Sequence, residues 1–298
     1  MKLLTVGPDN IYTYDTVKEF FASFELGPKD LLVSIEVIYK QFLEPYANGA
    51  NVILVDKYGA QEPTDVMIDE FIADAGKFDY DRIVAVGGGA VMDMSKVVAV
   101  AGGASIDDVI DHLPDFKRSV RLVLVPTTCG TGSEVTSFAV LTDPVRGIKY
   151  PLVDDELLPD QAILDPALLA GVPPAVTADT GMDVLTHAAE AYVAKGASPY
   201  SDALAEKAFT LAWENLRPAW ESQGESRAKR QMLLASNLAG MAFNAAGLGL
   251  CHSLAHALGG KFHVPHGRLN ALIFPHVLRF NAAGKEAAAK YGQLARLC

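Results

Sequence analysis

Four short apolar runs, each rich in β-branched residues, follow one another in the first half of the sequence. The runs are DLLVSI, NVILV, RIVAV and RLVLVP, and they begin at Asp30, Asn51, Arg82 and Arg121. Strands that are apolar along their whole length are typical of a parallel sheet with helices on both faces. Between them, MIDEFIADAGKF predicts an amphipathic helix with one apolar side, formed by Met67, Phe71, Ile72 and Ala75. The sequence therefore predicts an α/β domain with a Rossmann-like parallel sheet.

The pattern changes in the second half of the chain. The segment AVLTDPVRGIKYPLV predicts a β-hairpin with its turn at Asp143, Pro144 and Gly147. After GVPPAVTADTG, segments rich in Ala and Leu predict helices over 179–194, 202–220 and 228–243 and from residue 282 onward. We therefore expect an α/β dinucleotide-binding domain over 1–170 and an all-α metal and substrate domain over 171–298. The final AAAKYGQLARLC predicts a helix that continues to the last residue, which suggests truncation of the second domain.

Two glycine-containing loops follow strands of the predicted sheet. In RIVAVGGGAVMDMSK the glycines at 87–89 separate a strand from a helix that begins near Val91. Free backbone N–H groups and the helix dipole can bind a diphosphate there, although Met92 breaks the standard G-x-G-x-x-G pattern and a plain tight turn stays an alternative. The second loop, VPTTCGTGSE, offers hydroxyl groups that suit phosphate, ribose or a carboxamide. Two such loops at strand ends predict a nucleotide site.

Four of the seven histidines lie in CHSLAHALGGKFHVPHG, at 251–267. His252 and His256 are four residues apart on a predicted helix, whereas His266 is expected in a loop that ends at Gly267. Buried histidines without a ligand are the alternative interpretation of this segment.

A carboxylate and a further imidazole occur on another predicted helix. Asp183 and His187 are four residues apart in TGMDVLTHAAEAY, so both side chains project from one face. An ordinary Asp–His hydrogen bond is the alternative. Together with His252 and His266 they would offer one oxygen and three nitrogens, which suits Fe(II), Zn(II), Mn(II) or Ni(II). The set contains no cysteine, which argues against a closed structural zinc site.

The segments GGGAVMDMSK, PTTCGTGSE, GMDVLTHAAEAY and CHSLAHALGG with HVPHG, in this order, resemble the iron-containing (group III) alcohol dehydrogenase family over essentially the whole chain. The resemblance implies a dehydroquinate synthase-like fold, with NAD and Fe(II) or Zn(II) as cofactors. It implies metal binding by Asp183, His187, His252 and His266. It implies cofactor contacts at Gly88, Gly89, Ala90, Asp93, Thr127, Thr128, Thr131, Ser133 and Lys149. Ala90 replaces the more usual serine of the first loop, which removes one hydroxyl and keeps the backbone donors.

The implied activity is that of an NAD-dependent, metal-containing alcohol dehydrogenase, with reversible hydride transfer between NAD and a small primary alcohol. The metal would act as a Lewis acid, and His256 would be the catalytic residue that starts a proton relay. Within the family, the segments MKLL, PDNIYTYDTVKEFF, KYGAQEPTDVMID and HVPHG look most like those of members that act on 4-hydroxybutyrate. This resemblance implies 4-hydroxybutyrate and succinate semialdehyde as substrates. Lys149, Arg268 and His263 are candidate partners of the substrate carboxylate. Glu36, after the LLVSI strand, is expected to bind the adenosine ribose and to favour NAD over NADP, with an ordinary surface position as the alternative.

Other functions stay open at this point. Lactaldehyde or 1,3-propanediol could be the substrate within the same family. The related glycerol dehydrogenase and dehydroquinate synthase group shares the fold, the nicotinamide and the metal. The segment PTTCGTGSE favours the iron-containing alcohol dehydrogenase family over that group. An inactive metal- or nucleotide-binding remnant is a further alternative, because the chain ends before the C-terminal helices that family members usually have.

The composition of the chain argues against some classes of binding partner. The chain has 36 acidic and 25 basic residues and a net charge of -11, so nucleic acid is not expected to bind. The sequence has no run of about 18 apolar residues, so no membrane partner is expected. Its three cysteines, Cys129, Cys251 and Cys298, include no CxxC, which favours reduced thiols in the cytoplasm. A small alcohol or aldehyde is the expected partner, and the family resemblance implies a homodimer or larger homo-oligomer.

Overall fold

The computed structural model describes residues 4–59, 62–262 and 264–298. Eight strands occur in these residues: β1 (Asn10–Thr13), β2 (Asp30–Ser34), β3 (Asn51–Leu54), β4 (Arg82–Gly87), β5 (Arg121–Pro126), β6 (Phe138–Asp143), β7 (Ile148–Val153) and β8 (Gln161–Leu164). Six of them form one sheet in the order β1-β8-β5-β4-β2-β3, and every neighbouring pair is parallel. The predicted parallel sheet is confirmed. Two of its strands, β1 and β8, were not predicted. β1 is exposed at all four positions, so it lacks the apolar run of a buried strand.

Both faces of the sheet are apolar because alternate side chains enter two different cores. On β2, Leu31 and Val33 belong to one core, and Leu32 between them belongs to the other. On β4, Ile83 and Ala85 share the first core, whereas Val84 and Val86 share the second. This division follows from the two-residue period of a strand, and burial of each Leu, Ile or Val side chain contributes about 1.5–3 kcal/mol.

Helices cover the two faces of the sheet. They are α1 (Val17–Ser23), α2 (Glu36–Ile38), α3 (Asp65–Ala75), α4 (Gly89–Ala101) and α5 (Ile106–His112). The four residues predicted as the apolar side of α3 are all buried, and Phe71 is fully buried in the first core. Phe20 and Phe21 of α1 lie in the second core. The amphipathic helix of the sequence is therefore confirmed.

The strand order places a topological switch between β2 and β4. The chain leaves β2 towards β3 at the edge of the sheet, whereas it leaves β4 towards β5 on the opposite side. In open parallel sheets, ligands bind outside the carboxyl ends of the strands at such a point. Glu36 lies two residues after the end of β2, and Gly88 and Gly89 come directly after Gly87, the last residue of β4.

The predicted hairpin is confirmed as the antiparallel pair of β6 and β7. Its turn depends on Asp143, whose carboxylate accepts from the backbone N–H groups of Val145 and Arg146 at 2.8 Å each. Gly147 has a φ of +62°, in the left-handed region that glycine adopts without steric cost. The turn residues named from the sequence therefore have specific structural roles.

The later part of the chain is helical, as predicted, but several helix boundaries differ. The helices are α6 (Pro174–Val193), α7 (Pro199–Glu221), α8 (Arg227–Ala246), α9 (Leu250–Phe262), α10 (His266–Asn281) and α11 (Lys285–Ala295). The loop predicted around His266 is wrong, because His266 is the first residue of α10 and Pro265 is its N-cap. The final helix begins at Lys285 rather than at residue 282, and it ends at Ala295 rather than continuing to the last residue.

The chain divides into two compact units. The α/β unit consists of Gly7–Thr127 and Ser133–Leu168. The helical unit consists of Thr128–Gly132 and Leu169–Cys298, together with an N-terminal segment that ends at Val6. The domain boundary after residue 170 stays a prediction.

Among the described residues, no single helix has both the length and the apolar composition needed to cross a bilayer. Two pairs of consecutive helices reach that length and composition only when joined, and they are bent by 78° and 104°. Cys129, Cys251 and Cys298 form no disulfide in the described chain.

Candidate metal centre and nucleotide-binding loops

Helices α6, α9 and α10 bring the four predicted metal ligands together. Asp183 and His187 lie one turn apart on α6 and are buried, with His187 Nε2 at 4.0 Å from Asp183 Oδ1. His252 in the first turn of α9 places its Nε2 at 3.5 Å from the same oxygen. His266 at the start of α10 places its Nε2 at 3.6 Å from it. Three imidazole nitrogens therefore surround one carboxylate oxygen.

This donor set fits a divalent cation. The candidate ligand atoms of Asp183, His187 and His252 all lie within 4.8 Å of one another. Nitrogen and oxygen ligands at about 2.1 Å from a tetrahedral ion lie about 3.4 Å apart, close to the observed separations. One buried carboxylate with three imidazoles is also a combination that first-row transition metals accept. The geometry therefore supports a metal site at Asp183, His187 and His252, and His266 as the fourth ligand stays a prediction.

Burial and charge set the protonation of these groups. Burial lowers the pKa of His187 to about 4 and that of His266 to about 3, so both rings are neutral at pH 7. Burial alone would raise the pKa of Asp183, but the surrounding imidazoles hold it well below its usual range. His252 differs, because burial is outweighed by its contacts with Asp183 and Glu190, which raise its pKa to about 9. The centre thus offers a carboxylate and two neutral imidazoles, and a cation would replace the proton of the third ring.

Two buried polar residues of the centre were not found by sequence reasoning. Glu190, one turn after His187 on α6, accepts a hydrogen bond from His252 Nδ1 at 2.7 Å. Asn270 of α10 donates through Nδ2 to Asp183 Oδ1 at 2.7 Å, and this Nδ2 lies 3.2 and 3.1 Å from Nε2 of His252 and His266. The Asn270 Oδ1 accepts from the Cys251 thiol at 3.5 Å, which fixes the amide with its NH₂ group towards the ligands. A cation would therefore compete with the Asn270 amide for the lone pairs of Asp183 Oδ1 and His266 Nε2.

The remaining histidines of the region have different positions. His256 is half-buried on α9, and its ring centroid lies 5.0 Å from that of His266 and 6.3 Å from that of His252. His276 is exposed on α10, in keeping with the absence of any predicted role. His263 lies outside the described residues.

The other candidate cations for a substrate carboxylate already have acidic partners. Arg268 donates to both carboxylate oxygens of Asp179 at 3.2 and 3.0 Å in the helical unit. Lys149 forms an ion pair with Glu62 in the α/β unit, and its side chain is only 3% exposed. A substrate carboxylate would have to share or displace these partners.

The first glycine loop lies at the carboxyl end of β4. Gly88 is the N-cap of α4, and Gly89 is its first residue. The sequence predicted a helix start near Val91, so the helix begins two positions earlier than predicted. Gly88 and Gly89 are half-buried and Ala90 is exposed, which leaves the first-turn N–H groups accessible to an anion. A Cβ atom at Gly87 would lie 2.5 Å from the Val91 side chain, so this turn requires glycine.

Two of the predicted cofactor residues bond to each other in the α/β unit. Asp93 accepts from Ser133 Oγ at 2.6 Å and from the backbone N–H of Val140 at 3.0 Å, and burial raises its pKa. Next to them the fully buried Lys96, which sequence reasoning missed, donates to the carbonyl groups of Thr136 and Phe138. These contacts fix the second loop relative to α4.

The other predicted cofactor residues are distributed over both units. Thr127 is buried in the α/β unit, and its N–H donates to the Gly87 carbonyl at 3.0 Å. Thr128 and Thr131 are half-buried and belong to the helical unit. Glu36 is the first residue of α2, and its exposed carboxylate pairs with Lys40 at 2.5 Å.

Comparison with known proteins gives a consistent result. Residues 12–166 match the sequence model of the family described as iron-containing alcohol dehydrogenase, and residues 177–298 match that of its C-terminal part. The chain is 38% identical over 281 residues to a 4-hydroxybutyrate dehydrogenase of Clostridium kluyveri, covering 94% of this chain and 76% of that protein. It is 47% identical over 239 residues to the 1-propanol dehydrogenase PduQ of Citrobacter freundii, covering 80% of this chain and 61% of that protein. A solved structure of sulfoacetaldehyde reductase from Bifidobacterium kashiwanohense, in complex with NAD+, has a TM-score of 0.83 at 30% identity and covers 94% of this chain and 77% of its own.

Proposed function

This chain belongs to the iron-containing alcohol dehydrogenase family, and we propose that it catalyses the reversible NAD-dependent oxidation of 4-hydroxybutyrate to succinate semialdehyde. The observation that carries the proposal is the Asp183 oxygen with three imidazole Nε2 atoms at 3.5–4.0 Å. The relative from Clostridium kluyveri, which is named for 4-hydroxybutyrate, supports this substrate, and the NAD+ complex of the reductase supports the cofactor.

The helical unit supplies the groups that would act on the alcohol. Asp183, His187, His252 and His266 would hold Fe(II) or Zn(II), which when bound supplies a Lewis acid for the substrate oxygen. Burial of Asp183, His187 and His252 limits the access of water. His256, half-buried beside the His266 ring, would pass the alcohol proton towards solvent.

The α/β unit supplies the groups that would hold the nucleotide. The exposed first turn of α4 would bind the diphosphate through the backbone of Gly88, Gly89 and Ala90. Asp93 and Ser133 would fix the second loop through their mutual hydrogen bond. The side chains proposed to contact the rest of the cofactor are those of Thr127, Thr128, Thr131, Lys149 and Glu36.

A substrate panel tests the proposal. The purified protein, loaded anaerobically with Fe(II) or Zn(II), is expected to reduce NAD with 4-hydroxybutyrate, followed by absorbance at the NADH band. 1-Propanol is the second candidate substrate, because of the 47% identity to the propanol dehydrogenase. 1,3-Propanediol with NAD, and lactaldehyde with NADH in the reducing direction, complete the panel. Turnover of these three compounds but not of 4-hydroxybutyrate would contradict 4-hydroxybutyrate as the substrate. The proposed reaction class, NAD-dependent alcohol oxidation, would stand. NADH binding without any turnover would favour the inactive remnant.

Replacing Glu36 by glutamine should relax the preference for NAD over NADP. The carboxylate near the carboxyl end of β2 would repel a 2′-phosphate. We therefore expect the ratio of kcat/KM for NADP to that for NAD to rise about fivefold. Glu25→Gln is the matched control, because it removes the same charge near the amino end of the same strand. An unchanged ratio in Glu36→Gln would place Glu36 outside the nucleotide site.

We also propose a cellular compartment and an oligomeric state for the protein. We place the protein in the cytoplasm, supported by three cysteines without a disulfide in the described chain. A homodimer or larger homo-oligomer is proposed from the family resemblance, and light scattering after size exclusion measures it. We propose that residues 1–170 form the dinucleotide-binding domain and residues 171–298 the metal and substrate domain.

A further inference from the structure

We propose that Glu190 is a positioning residue for the metal centre, which holds the His252 ring with its proton on Nδ1 and thereby reserves Nε2 for the cation. The inference rests on the proposed metal function of the centre and adds a residue that is not one of its ligands. In metal sites, the second nitrogen of a ligating histidine commonly donates to a carboxylate in this way.

The contacts of Glu190 specify which ring nitrogen faces the ligands. Its side chain is buried at 2% exposure, and its Oε2 lies 2.7 Å from His252 Nδ1. An ionised carboxylate has only acceptors, so Nδ1 must donate the proton in this contact. The opposite nitrogen, Nε2, then points at Asp183 Oδ1, 3.5 Å away.

The same carboxylate also fixes the beginning of α9. Its Oε1 accepts from the backbone N–H of Cys251 at 2.6 Å, and its Oε2 accepts from that of Gly249 at 3.0 Å. These are N–H groups that the first turn of a helix leaves without intrahelical partners. A Cβ atom at Gly249 would lie 2.8 Å from Glu190 Oε1, so a side chain there would displace the carboxylate from this position. The backbone that carries His252 and the ring of His252 are therefore positioned by one side chain.

Glu190 is itself placed by the helix that carries two ligands. Asp183, His187 and Glu190 follow one another at helical spacing along one face of α6, and all three are buried. Residues at these spacings lie above one another on a helix. The two ligands of α6 and the carboxylate that orients the third ligand thus share one rigid element.

A carboxylate is required because both of its oxygens accept. Glutamine at position 190 would place its NH₂ group either against the Cys251 N–H or against His252 Nδ1. The first arrangement brings two donors together. In the second, Nδ1 must accept, so the ring proton moves to Nε2 and this nitrogen can no longer bind a cation. Either arrangement disfavours metal binding without removing a ligand.

The experiment compares Zn(II) binding by the wild-type protein, Glu190→Gln and the control Glu206→Gln. Glu206 accepts from the Tyr192 hydroxyl at 2.5 Å, so the control also removes a carboxylate that contacts a residue of α6. Competition with a chromophoric chelator gives the affinity, and transfer to excess chelator gives the release rate. We expect Glu190→Gln to bind Zn(II) about 10–100-fold more weakly and to release it faster, with the control within about twofold of wild type.

The outcomes separate this inference from the function on which it rests. A wild-type protein that does not bind Zn(II) would overturn the metal function itself. Tight binding by wild type with equal affinity and release rate in Glu190→Gln would overturn the role of Glu190 alone. Thermal unfolding of the metal-free proteins shows whether each variant is folded.

A second measurement needs no variant. In the Zn(II)-loaded wild-type protein labelled with ¹⁵N-histidine, His252 should carry its proton on Nδ1 and bind the metal through Nε2. Its N–H proton should resonate at low field, as expected for donation to a buried carboxylate. A His252 ring protonated on Nε2, or bound to Zn(II) through Nδ1, would overturn the proposal even if Glu190→Gln fails to fold.

Discussion

Replacing Asp183 by asparagine should lower kcat/KM for alcohol oxidation by about a thousandfold. The Asp183 Oδ1 is the atom around which the three imidazole nitrogens are arranged, at 3.5–4.0 Å. Asparagine removes the only negative charge among the four proposed ligands, so a divalent cation would be held by neutral ligands alone. Lewis-acid stabilisation is worth several kcal/mol, and about 1.4 kcal/mol corresponds to a factor of ten.

The measurement is metal content together with steady-state kinetics with NAD. Asp202→Asn is the control, because Asp202 pairs with Lys290 at 2.9 Å in the same helical unit and is not a proposed ligand. It should keep a full equivalent of metal and wild-type turnover. A metal-replete Asp183→Asn protein with unchanged kcat/KM would exclude Asp183 as a ligand.

Replacing Gly267 by alanine should destabilise the protein and disrupt the metal centre together. A Cβ atom at this position would lie 2.0 Å from the backbone oxygen of Asp179 and 2.6 Å from its carbonyl carbon. Because the contact is with the backbone of α6, no rotation of a side chain can relieve it, and α10 must move away. His266 precedes Gly267 and begins α10, so its Nε2 would move with it. Overpacking of this kind costs about 1–3 kcal/mol of unfolding free energy.

Urea unfolding of the metal-free protein and Zn(II) titration measure the two effects of Gly267→Ala separately. Gly292→Ala is the matched control, because Gly292 lies within α11 and a Cβ atom there meets only the end of the Arg296 side chain, at 3.9 Å. Alanine favours a helix interior over glycine, so the control should be unchanged or more stable by about 1 kcal/mol. Wild-type stability and affinity in Gly267→Ala would mean that α6 and α10 tolerate a wider separation.

The sheet was predictable because each of its central strands has a recognisable local sequence. β2 is buried at every position, and β4 and β5 at every position but the first, and their sequences contain the apolar runs LLV, IVAV and LVLV. β1 belongs to the same sheet, but every one of its residues is exposed, and NIYT carries no apolar pattern. Its position depends on pairing with β8, which lies some 150 residues later and which no local signal indicates.

The metal centre was predictable to the extent that helical spacing decides it. Asp183 and His187 share a face of α6 because they are four residues apart. His266 was expected in a loop because Pro265 and Gly267 flank it. Proline is also common at helix starts, and Gly267 is required by the close approach to Asp179, which is a tertiary contact. Pro265 and Gly267, the residues that predicted a loop, therefore lie at the beginning of a helix.

Glu190 and Asn270 could not be identified in the same way. Each has its role through contacts with α9, and the glutamate is 62 residues distant in sequence from its histidine. On α6 alone, Glu190 is one more polar residue of an amphipathic helix. Only the packing of α9 against α6 shows that its carboxylate faces an imidazole.

The Cys251 thiol makes the stability of this centre measurable by alkylation. It is fully buried beside Asn270, and burial raises its pKa to about 12, so it does not react as a thiolate at pH 7 while α9 is packed. Its labelling by a maleimide consequently requires local opening, and the labelling rate reports the free energy of that opening. Cys298 is exposed in the same unit and provides the rate for an accessible thiol in the same molecule. Since Cys251 adjoins His252, protection of this one sulfur would report how firmly a bound cation closes the three helices around it.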